Sequence, residues 1–372
     1  MDDGTMAPAP ETTQHVPHEL VVKILLHLPV ESVMRFACVS RTWHDTITND
    51  RCFRSEHHRL QKSYLLIAPR IESIGCATLR TTTTTCLYRW ERKSQPHAAT
   101  LVQAIDPFPA VEARRHTLAH CRGLVLVPTD DGPVRVLNPA MRRVLTLPPT
   151  EESHAVMARE SWLFIGAFGF GPDRRTETYK VARIFYRVAD KLATVQFGYA
   201  VGMDVLTIGI DHQWRETTIP PPYPIVGGET ATFFKDSLLW KIDENLTPDD
   251  RVVRGFLRFN LEDESFSVMP GPPGCPPLKY STSNLAEIRG ELCLAHQKNQ
   301  DAMIWVCDGA EAPRWVLRHV IKITSCIRLI STSNEDDHHV VFQGLSNLLQ
   351  CFDSRVGEDA IPLARMDHLR SI

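Results

Sequence analysis

The sequence predicts a multidomain α+β protein, in which a small amino-terminal helical module is followed by an all-β, propeller-like domain. Apolar residues recur at helical spacing only between Val16 and about Leu60. Beyond Lys62 they fall into short runs bounded by turn-forming residues, and no second long helical pattern follows. These runs repeat loosely at roughly 45 to 50 residues, the spacing expected of propeller blades. The chain of 372 residues is long enough for both units.

The change of pattern near Lys62 predicts three segments. Residues 1–13 combine Asp, Pro, Thr and Gly with almost no large apolar side chain, which predicts a disordered tail. Residues 14–60 are predicted to form the helical module. Residues 63–372 are predicted to form the β domain.

The charge of the chain narrows the classes of partner. Its formal net charge is −3, and both signs are well mixed along the sequence. There is therefore no polybasic field that would hold nucleic acid or an anionic membrane surface. We expect protein partners, no nucleic acid and no membrane.

The first residues and the cysteines indicate a compartment. No apolar run reaches the roughly 20 residues that span a bilayer, and the acidic, Pro-rich start differs from a signal peptide. We therefore expect the protein in the cytoplasm and/or the nucleus. Its ten dispersed cysteines are interpreted as reduced and mostly buried.

The helical module is predicted from residues spaced four apart. Leu20, Ile24 and Leu28 stack on one face of a first helix. Val21 and Leu25 widen that face. The apolar stripe is thus broader than a single small core requires.

Capping residues predict two further helices. Pro17 stands where a first helical turn tolerates proline, and Pro29 ends the first pattern. A second helix is expected from about Glu31 to Val39, and Ser40 can cap a third. Three or four short helices make only a marginal bundle. Such a module would gain stability from a partner that covers its apolar face.

The β domain is predicted from strand-like runs and recurring turns. The runs lie at 64–67, 124–127, 205–208 and 340–342. Strands that end in Asn or Asp recur at Asn138, Asp211, Asn260, Asp308 and Asp353. The wider first interval predicts an insertion or a diverged blade. About 300 residues at this period predict five or six blades.

Several of these turns are followed by a basic or aromatic residue and then by an apolar residue and a proline. Each unit is therefore expected to be two strands around a tight turn, with an exit at a proline that cannot continue a central strand. The pairs are Arg142 with Pro148, Trp214 with Pro220, and Phe266 with Pro270.

The stretch from Val16 to Phe53 resembles the F-box motif along its whole length, although Val16 replaces the usual first leucine. The resemblance implies that the module binds a Skp1-type protein. The contact residues that it implies are Pro17, Glu19, Leu20, Ile24, Leu25, Leu28, Pro29, Val33, Arg35, Val39 and Ser40. The remaining matched residues are assigned to packing inside the module, and they are Phe36, Trp43, Ile47 and Phe53.

The later sequence is similar to the F-box-associated, kelch-like region of plant F-box proteins. The corresponding segments are 121–127, 136–143, 147–149, 168–172, 179–183 and 285–293. Together the two resemblances imply the substrate-receptor adaptor of a Skp1–cullin–F-box ubiquitin ligase. The cullin would be reached through Skp1, and the β domain would recruit a protein substrate that the sequence does not identify.

Such an adaptor acts by proximity and needs no catalytic residue, so we expect a non-enzymatic protein without cofactor. Two alternatives stay open. A propeller-type ligand- or glycan-binding protein would show convergent polar groups at the central channel. A cullin-independent scaffold would bind Skp1 without ligase activity.

Sites for other chemistry are weakly supported. No Cys-x-x-Cys occurs, and the adjacent histidines at 57–58 and 338–339 do not face the same way on a helix or strand, so no metal site is predicted. No Gly-x-Ser-x-Gly nucleophile segment occurs. The Gly-Phe-Gly at 169–171 lacks the third glycine of a phosphate loop and is interpreted as a turn between strands. The tryptophans at 90, 214, 240, 305 and 315 are expected to fill the space between sheets rather than line a ligand pocket.

Overall fold

The computed structural model describes residues 16–61, 65–67, 82–90, 100–109, 117–129, 133–150, 166–188, 199–246, 253–275, 278, 282–288, 290–309, 313–322, 327–332, 339–344, 348–353, 355 and 361–365. The predicted tail at 1–13 lies outside these residues, as does His338. The chain divides into two compact units, Met1–Ser63 and Tyr64–Ile372. In the described residues the first unit is helical and the second is all-β, which confirms the predicted fold class.

The first unit contains four helices, α1 (His18–Leu26), α2 (Val30–Phe36), α3 (Arg41–Thr48) and α4 (Arg51–Leu60). The Ser40 hydroxyl accepts a hydrogen bond from the Trp43 backbone N–H at 3.2 Å, which caps α3 as predicted. Because Ser40 must be extended to make this cap, α2 ends at Phe36 rather than at Val39. Asp50 caps α4 in the same way.

Every helix contributes to the core of this unit. Its buried residues are Val21 and Leu25 of α1, Val33 of α2, Ile47 of α3 and Phe53 of α4. The end of α4 is tied to the segment after α1, because the His57 Nε2 atom and the Gln61 side-chain amide both lie within hydrogen-bond distance of the Leu28 carbonyl oxygen. These distances are 2.9 and 3.1 Å.

The described strands of the second unit form six antiparallel sheets, each a meander in chain order. Sheets 1 and 2 are β1 (Leu65–Ile67), β2 (Thr82–Trp90) and β3 (Thr100–Pro109), then β4 (Ala119–Cys121), β5 (Leu124–Val127), β6 (Arg135–Asn138) and β7 (Arg143–Thr146). Sheets 3 and 4 are β8 (Ala167–Asp173), β9 (Thr178–Val188), β10 (Tyr199–Thr207) and β11 (Arg215–Glu216), then β12 (Thr232–Phe234), β13 (Ser237–Lys241), β14 (Gly255–Asn260) and β15 (Phe266–Pro270). Sheets 5 and 6 are β16 (Ser283–Ile288), β17 (Glu291–Lys298), β18 (Asp301–Cys307) and β19 (Trp315–Lys322), then β20 (Ile327–Thr332), β21 (His339–Gly344), β22 (Leu348–Asp353) and β23 (Ile361–Arg365).

The sheets are arranged as propeller blades. The first strand of each sheet contacts the first strand of the next, from β4 to β8, β12, β16 and β20. These strands are therefore innermost, and the fourth strands are outermost. The cores lie between neighbouring sheets: Phe168 of sheet 3 packs with Val136 of sheet 2, and Phe256 of sheet 4 packs with Leu294 of sheet 5.

The five recurring Asn and Asp residues stand at, or one to four residues after, the end of the third strand in sheets 2 to 6. The side chains of Asn138 and Asn260 hold their turns: the Asn138 Oδ1 accepts from the Met141 N–H at 3.1 Å, and the Asn260 Oδ1 accepts from the Glu262 N–H at 2.8 Å. Asn138 and Asp211 belong to consecutive sheets. Among the described strands no further sheet lies between these two, as the predicted insertion requires.

The Gly-Phe-Gly segment at 169–171 is not a turn. It lies inside β8, in which every residue is buried. A Cβ atom at Gly169 would lie 2.6 Å from the Leu238 side chain and 2.7 Å from the Trp240 ring. Glycine is required here because sheet 4 packs directly against the backbone of β8.

The recurring aromatic and proline residues join neighbouring sheets. The Trp214 Nε1–H donates to the Pro148 carbonyl at 2.8 Å, and the Trp315 Nε1–H donates to the Pro270 carbonyl at 2.9 Å. In both cases a tryptophan near the start of a fourth strand binds the exit proline of the preceding sheet. The sequence pattern thus has a structural reason beyond the turn itself.

We expect Trp315→Phe to lower the free energy of unfolding of the β domain by about 1 kcal/mol, because it removes this hydrogen bond and leaves the Pro270 carbonyl without its donor. Trp305→Phe is the matched control, since the Trp305 Nε1–H is buried without a hydrogen-bond partner and its loss leaves nothing unpaired. Guanidinium unfolding followed by circular dichroism checks the difference. Equal midpoints for the two variants would contradict the assigned role of Trp315.

Candidate docking surface

Helix α1 carries two neighbouring apolar rows, about 100° apart around its axis. Val21 and Leu25 point into the core of the helical unit, whereas Leu20 and Ile24 are 50% and 58% exposed. Leu20 and Ile24 are four residues apart, so they stack on one side of the helix. The unit's own core therefore does not account for this second face.

Further apolar side chains are exposed near the end of α2. Phe36 is 38% exposed and meets the Trp43 ring edge-on, at 5.9 Å between ring centroids. Of the fifteen large apolar side chains exposed among the described residues, seven belong to this small unit. We call them the exposed apolar set: Val16, Leu20, Ile24, Met34, Phe36, Val39 and Leu60. So dense a set in so small a unit makes its members on and beside α1 and α2, without Leu60 at the end of α4, a candidate docking surface.

Most of the predicted contact residues are accessible. Those that are exposed are Pro17, Glu19, Leu20, Ile24, Pro29, Arg35, Val39 and Ser40. Leu28 is half-buried and packs against the core. Leu25 and Val33, however, are only 1% and 2% exposed, so their assignment to the contact surface is corrected: they form the core.

The four residues assigned to packing also differ in burial. Ile47 and Phe53 are buried, and Trp43 is half-buried against the core. Phe36 does not belong to the inner packing, because it stands at the last residue of α2 and covers only the edge of Trp43. Met34 was missed by the sequence reasoning, although its position between the buried Val33 and the exposed Arg35 would have placed it on the outer face.

Two predicted contact residues also organise the local backbone. The Arg35 guanidinium donates to the Glu31 carbonyl at 3.2 Å and to the Ser32 hydroxyl at 3.3 Å, so it lies along α2. The Ser40 hydroxyl oxygen is used by the α3 cap. A shallow groove lies between α2 and α3 and is lined by Ala37, Cys38, Ser40, Arg41, His44 and Asp45.

The β domain carries a buried polar cluster between sheets 4 and 5. The Lys241 ammonium is 2.7 Å from a Glu229 carboxylate oxygen and donates to the Ser283 carbonyl at 2.6 Å. His296 lies opposite Ser283 and is 3% exposed, and burial together with the nearby Lys241 charge lowers its pKa. The Lys241, Glu229 and Ser283 groups satisfy one another across two sheets, whereas the His296 Nδ1 is buried without a hydrogen-bond partner among the described residues. The Lys241 contacts join sheets 4 and 5.

Metal and nucleophile sites find no support in the described part of the chain. It holds no group of three or more His, Cys, Asp or Glu placed to bind a metal. The His120 Nε2 accepts a hydrogen bond from the Gly123 N–H. Burial raises the pKa of the Cys121 thiol to about 12, so His120 and Cys121 do not form a reactive pair. Within those same residues no helix is long and apolar enough to cross a membrane.

Comparison with known families assigns both units. Residues 14–55 match the F-box domain, and residues 77–347 match the F-box associated beta propeller domain, which is more than half of the chain. The Arabidopsis thaliana F-box protein At3g52320 is 27% identical over 263 residues, which cover 69% of this chain and 60% of that protein. The F-box protein At4g19940 of the same plant is 25% identical over 316 residues, 83% of this chain and 72% of that protein. The fucose-specific lectin from Aleuria aurantia aligns at 12% identity with a TM-score of 0.39, covering 75% of this chain and 89% of the lectin, and that similarity supports no statement on function.

The matched families agree with the two units seen in the structure. The four short helices with an exposed apolar face correspond to the first match, and the sheets with innermost first strands correspond to the second. The chain therefore belongs to the plant F-box proteins that carry an F-box-associated β-propeller domain.

Proposed function

We propose that this protein is the substrate-receptor subunit of a Skp1–cullin–F-box ubiquitin ligase. The F-box would bind a Skp1-type protein, which links it to the cullin, and the β domain would hold the protein to be ubiquitinated. The observation that carries the proposal is the second apolar face of α1, where Leu20 and Ile24 are exposed although the helix already buries Val21 and Leu25. A groove-forming partner that covers this face would gain apolar contacts without disturbing the core.

The mechanism is proximity. A receptor raises the effective concentration of an acceptor lysine near a ubiquitin-charged enzyme that is carried elsewhere in the assembly. It needs no catalytic residue or cofactor, and we propose that the protein is not itself an enzyme. Its place of action would be the cytoplasm and/or the nucleus.

The test is a double variant, Leu20→Asp with Ile24→Asp, in the full chain. Two charges in a desolvated apolar contact are expected to weaken Skp1 binding by more than about 3 kcal/mol, which is more than a hundredfold in Kd. Both positions are exposed, so the helical unit should stay folded. Binding is measured by biolayer interferometry with purified Skp1.

Leu60→Asp is the matched control, because Leu60 is an exposed aliphatic residue of the same unit outside the proposed contact. It should bind Skp1 like the parent chain. Unchanged binding by the double variant would refute the docking surface. Loss of binding in Leu60→Asp to the same degree would show that any added charge disrupts the unit.

A further inference from the structure

The outermost strand of sheet 2 presents an unpaired edge. Strand β7 (Arg143–Thr146) pairs with β6 and with no other described strand. All four residues of β7 are exposed. We call the strand with its preceding turn residue, residues 142–146, the β7 edge. Such an edge offers backbone N–H and C=O groups to any chain that lies alongside.

The β7 edge is apolar on both faces. Val144 and Leu145 are each 45% exposed, and consecutive residues of a strand point to opposite sides of the sheet. In the register Val144 lies opposite Leu137 and Leu145 opposite Val136, and both partners are buried. On both faces of the sheet, the apolar side chains of the core are therefore followed by an apolar side chain that is partly exposed on β7. A fifth strand with aliphatic side chains on both faces would extend them.

The hairpin that carries this edge is basic. Residues 133–150 contain three arginines and no Asp or Glu, a net charge of +3 in a chain whose net charge is −3. Neither Arg142 nor Arg143 forms an ion pair among the described residues, whereas Arg187 and Arg318, also on strands, are paired with Glu216 and Glu291. The two guanidinium groups at the β7 edge are therefore open to an external carboxylate.

The backbone register shows which groups are available. The Leu147 N–H donates to the Val134 carbonyl at 2.9 Å, so residue 147 faces β6. Since amides alternate along a strand, the N–H groups of Val144 and Thr146 face away from β6. These N–H groups are placed to donate hydrogen bonds to a further strand, which can lie antiparallel or parallel to β7.

We propose that the β7 edge binds an extended segment of a partner protein, in which a pair of adjacent aliphatic residues stands next to a pair of Asp or Glu, so that each face of the strand carries one residue of each kind. The aliphatic side chains would cover Val144 and Leu145, and the carboxylates would meet Arg142 and Arg143. The inference rests on the proposed function, because this segment would belong to the protein recruited for ubiquitination. A second copy of the chain is a poor occupant, since it would bring two hairpins of net charge +3 together.

The probe is a synthetic fluorescent peptide of about eight residues, a common strand length, in which Val-Val pairs stand next to pairs of Asp or Glu. A second peptide replaces every acid with Lys, and a third carries N-methyl groups on alternate backbone amides. Anisotropy titrations use the full chain and the variant Arg142→Glu with Arg143→Glu. The control variant is Arg175→Glu with Arg314→Glu, two exposed arginines that form no ion pair among the described residues.

The acidic peptide should bind the parent chain and the control variant alike, and the charge-reversed variant about tenfold or more weakly, with salt weakening the parent complex. The lysine peptide should then prefer the charge-reversed variant. N-methylation should abolish binding, and hydrogen exchange should slow in residues 143–146. Skp1 binding, measured in parallel, should stay unchanged in all variants, so a failure of the proposed function is seen separately.

Several outcomes would overturn the inference. They are equal affinity of the acidic peptide for the parent and the charge-reversed chain, full binding by the N-methylated peptide, and protection that appears outside the β7 edge. A fourth is binding that appears only after Glu151 and Glu152 are replaced by Gln. That result would mean that the chain's own acidic segment occupies the edge.

Discussion

Replacing Lys180 by Met is expected to destabilise the β domain by about 3 to 5 kcal/mol. The Lys180 ammonium is buried, lies 3.1 Å from the Asp173 Oδ2 and 3.0 Å from the Glu264 Oε1, and donates to the Leu261 carbonyl at 2.5 Å. Asp173 belongs to sheet 3, whereas Leu261 and Glu264 belong to the turn of sheet 4. The variant would leave the buried Asp173 carboxylate without its counter-charge and would release the two sheets from each other.

Denaturant unfolding of the full chain, followed by circular dichroism, measures this loss. Arg174→Met is the neighbouring control, because Arg174 is exposed in its pair with Asp236 and the pair should contribute no more than about 1 kcal/mol. Adding Asp173→Asn to Lys180→Met should recover part of the loss, since it removes the stranded charge. A Lys180→Met variant as stable as the parent would show that the buried pair contributes nothing.

The difference in unfolding free energy between the parent chain and Lys180→Met is expected to depend on pH. The Arg215 guanidinium, helped by Lys180, holds the pKa of Glu264 at about 2, below its ordinary 4.5. A carboxylate with a lowered pKa stabilises the fold above its unfolded pKa, and this contribution is lost as the pH falls through the folded pKa. Acid also protonates the Asp173 carboxylate, which Lys180→Met leaves without its counter-charge. The gap between parent and variant should therefore narrow as the pH falls from 7 towards about 3.

Leu25→Asp and Ile24→Asp, one residue apart, are expected to have opposite effects on the folding of the F-box. Leu25 is 1% exposed in a core of five residues. Leu25→Asp removes the packing of a buried leucine, which costs about 2 to 5 kcal/mol of stability, and it also buries a charge. A unit of this size is not expected to remain folded. Ile24 is 58% exposed, and Ile24→Asp should leave the unit folded.

Hydrogen exchange over residues 18–60 of the full chain separates the two cases. We expect rapid exchange in Leu25→Asp and parent-like protection in Ile24→Asp, while Skp1 binding falls in both. The binding loss then has two causes, an unfolded unit in one variant and a charged contact in the other. Parent-like protection in Leu25→Asp would contradict the assigned core.

Local sequence features were enough to predict the class of each unit and the turns that follow the third strands of the sheets. The four-residue spacing of Leu20, Ile24 and Leu28 predicts a helix, and the recurring Asn and Asp residues mark the end of the third strand in five sheets. These features are local: helical spacing, caps and side-chain turns depend on residues only a few positions apart. For the same reason Ser40 was recognised as the cap of α3.

What the tertiary structure alone decided is which side of each element is covered. Periodicity groups Leu20 with Ile24 and Leu28 but does not tell a core face from a docking face, so Leu25 and Val33 were assigned to the contact surface although they are buried. In the β domain, Gly169 is explained only by sheet 4 packing on its backbone, and the open charges of Arg142 and Arg143 only by their lack of an ion-pair partner among the described residues. Burial and ion pairing depend on residues that are distant in sequence, and the spacing within one segment carries no record of them.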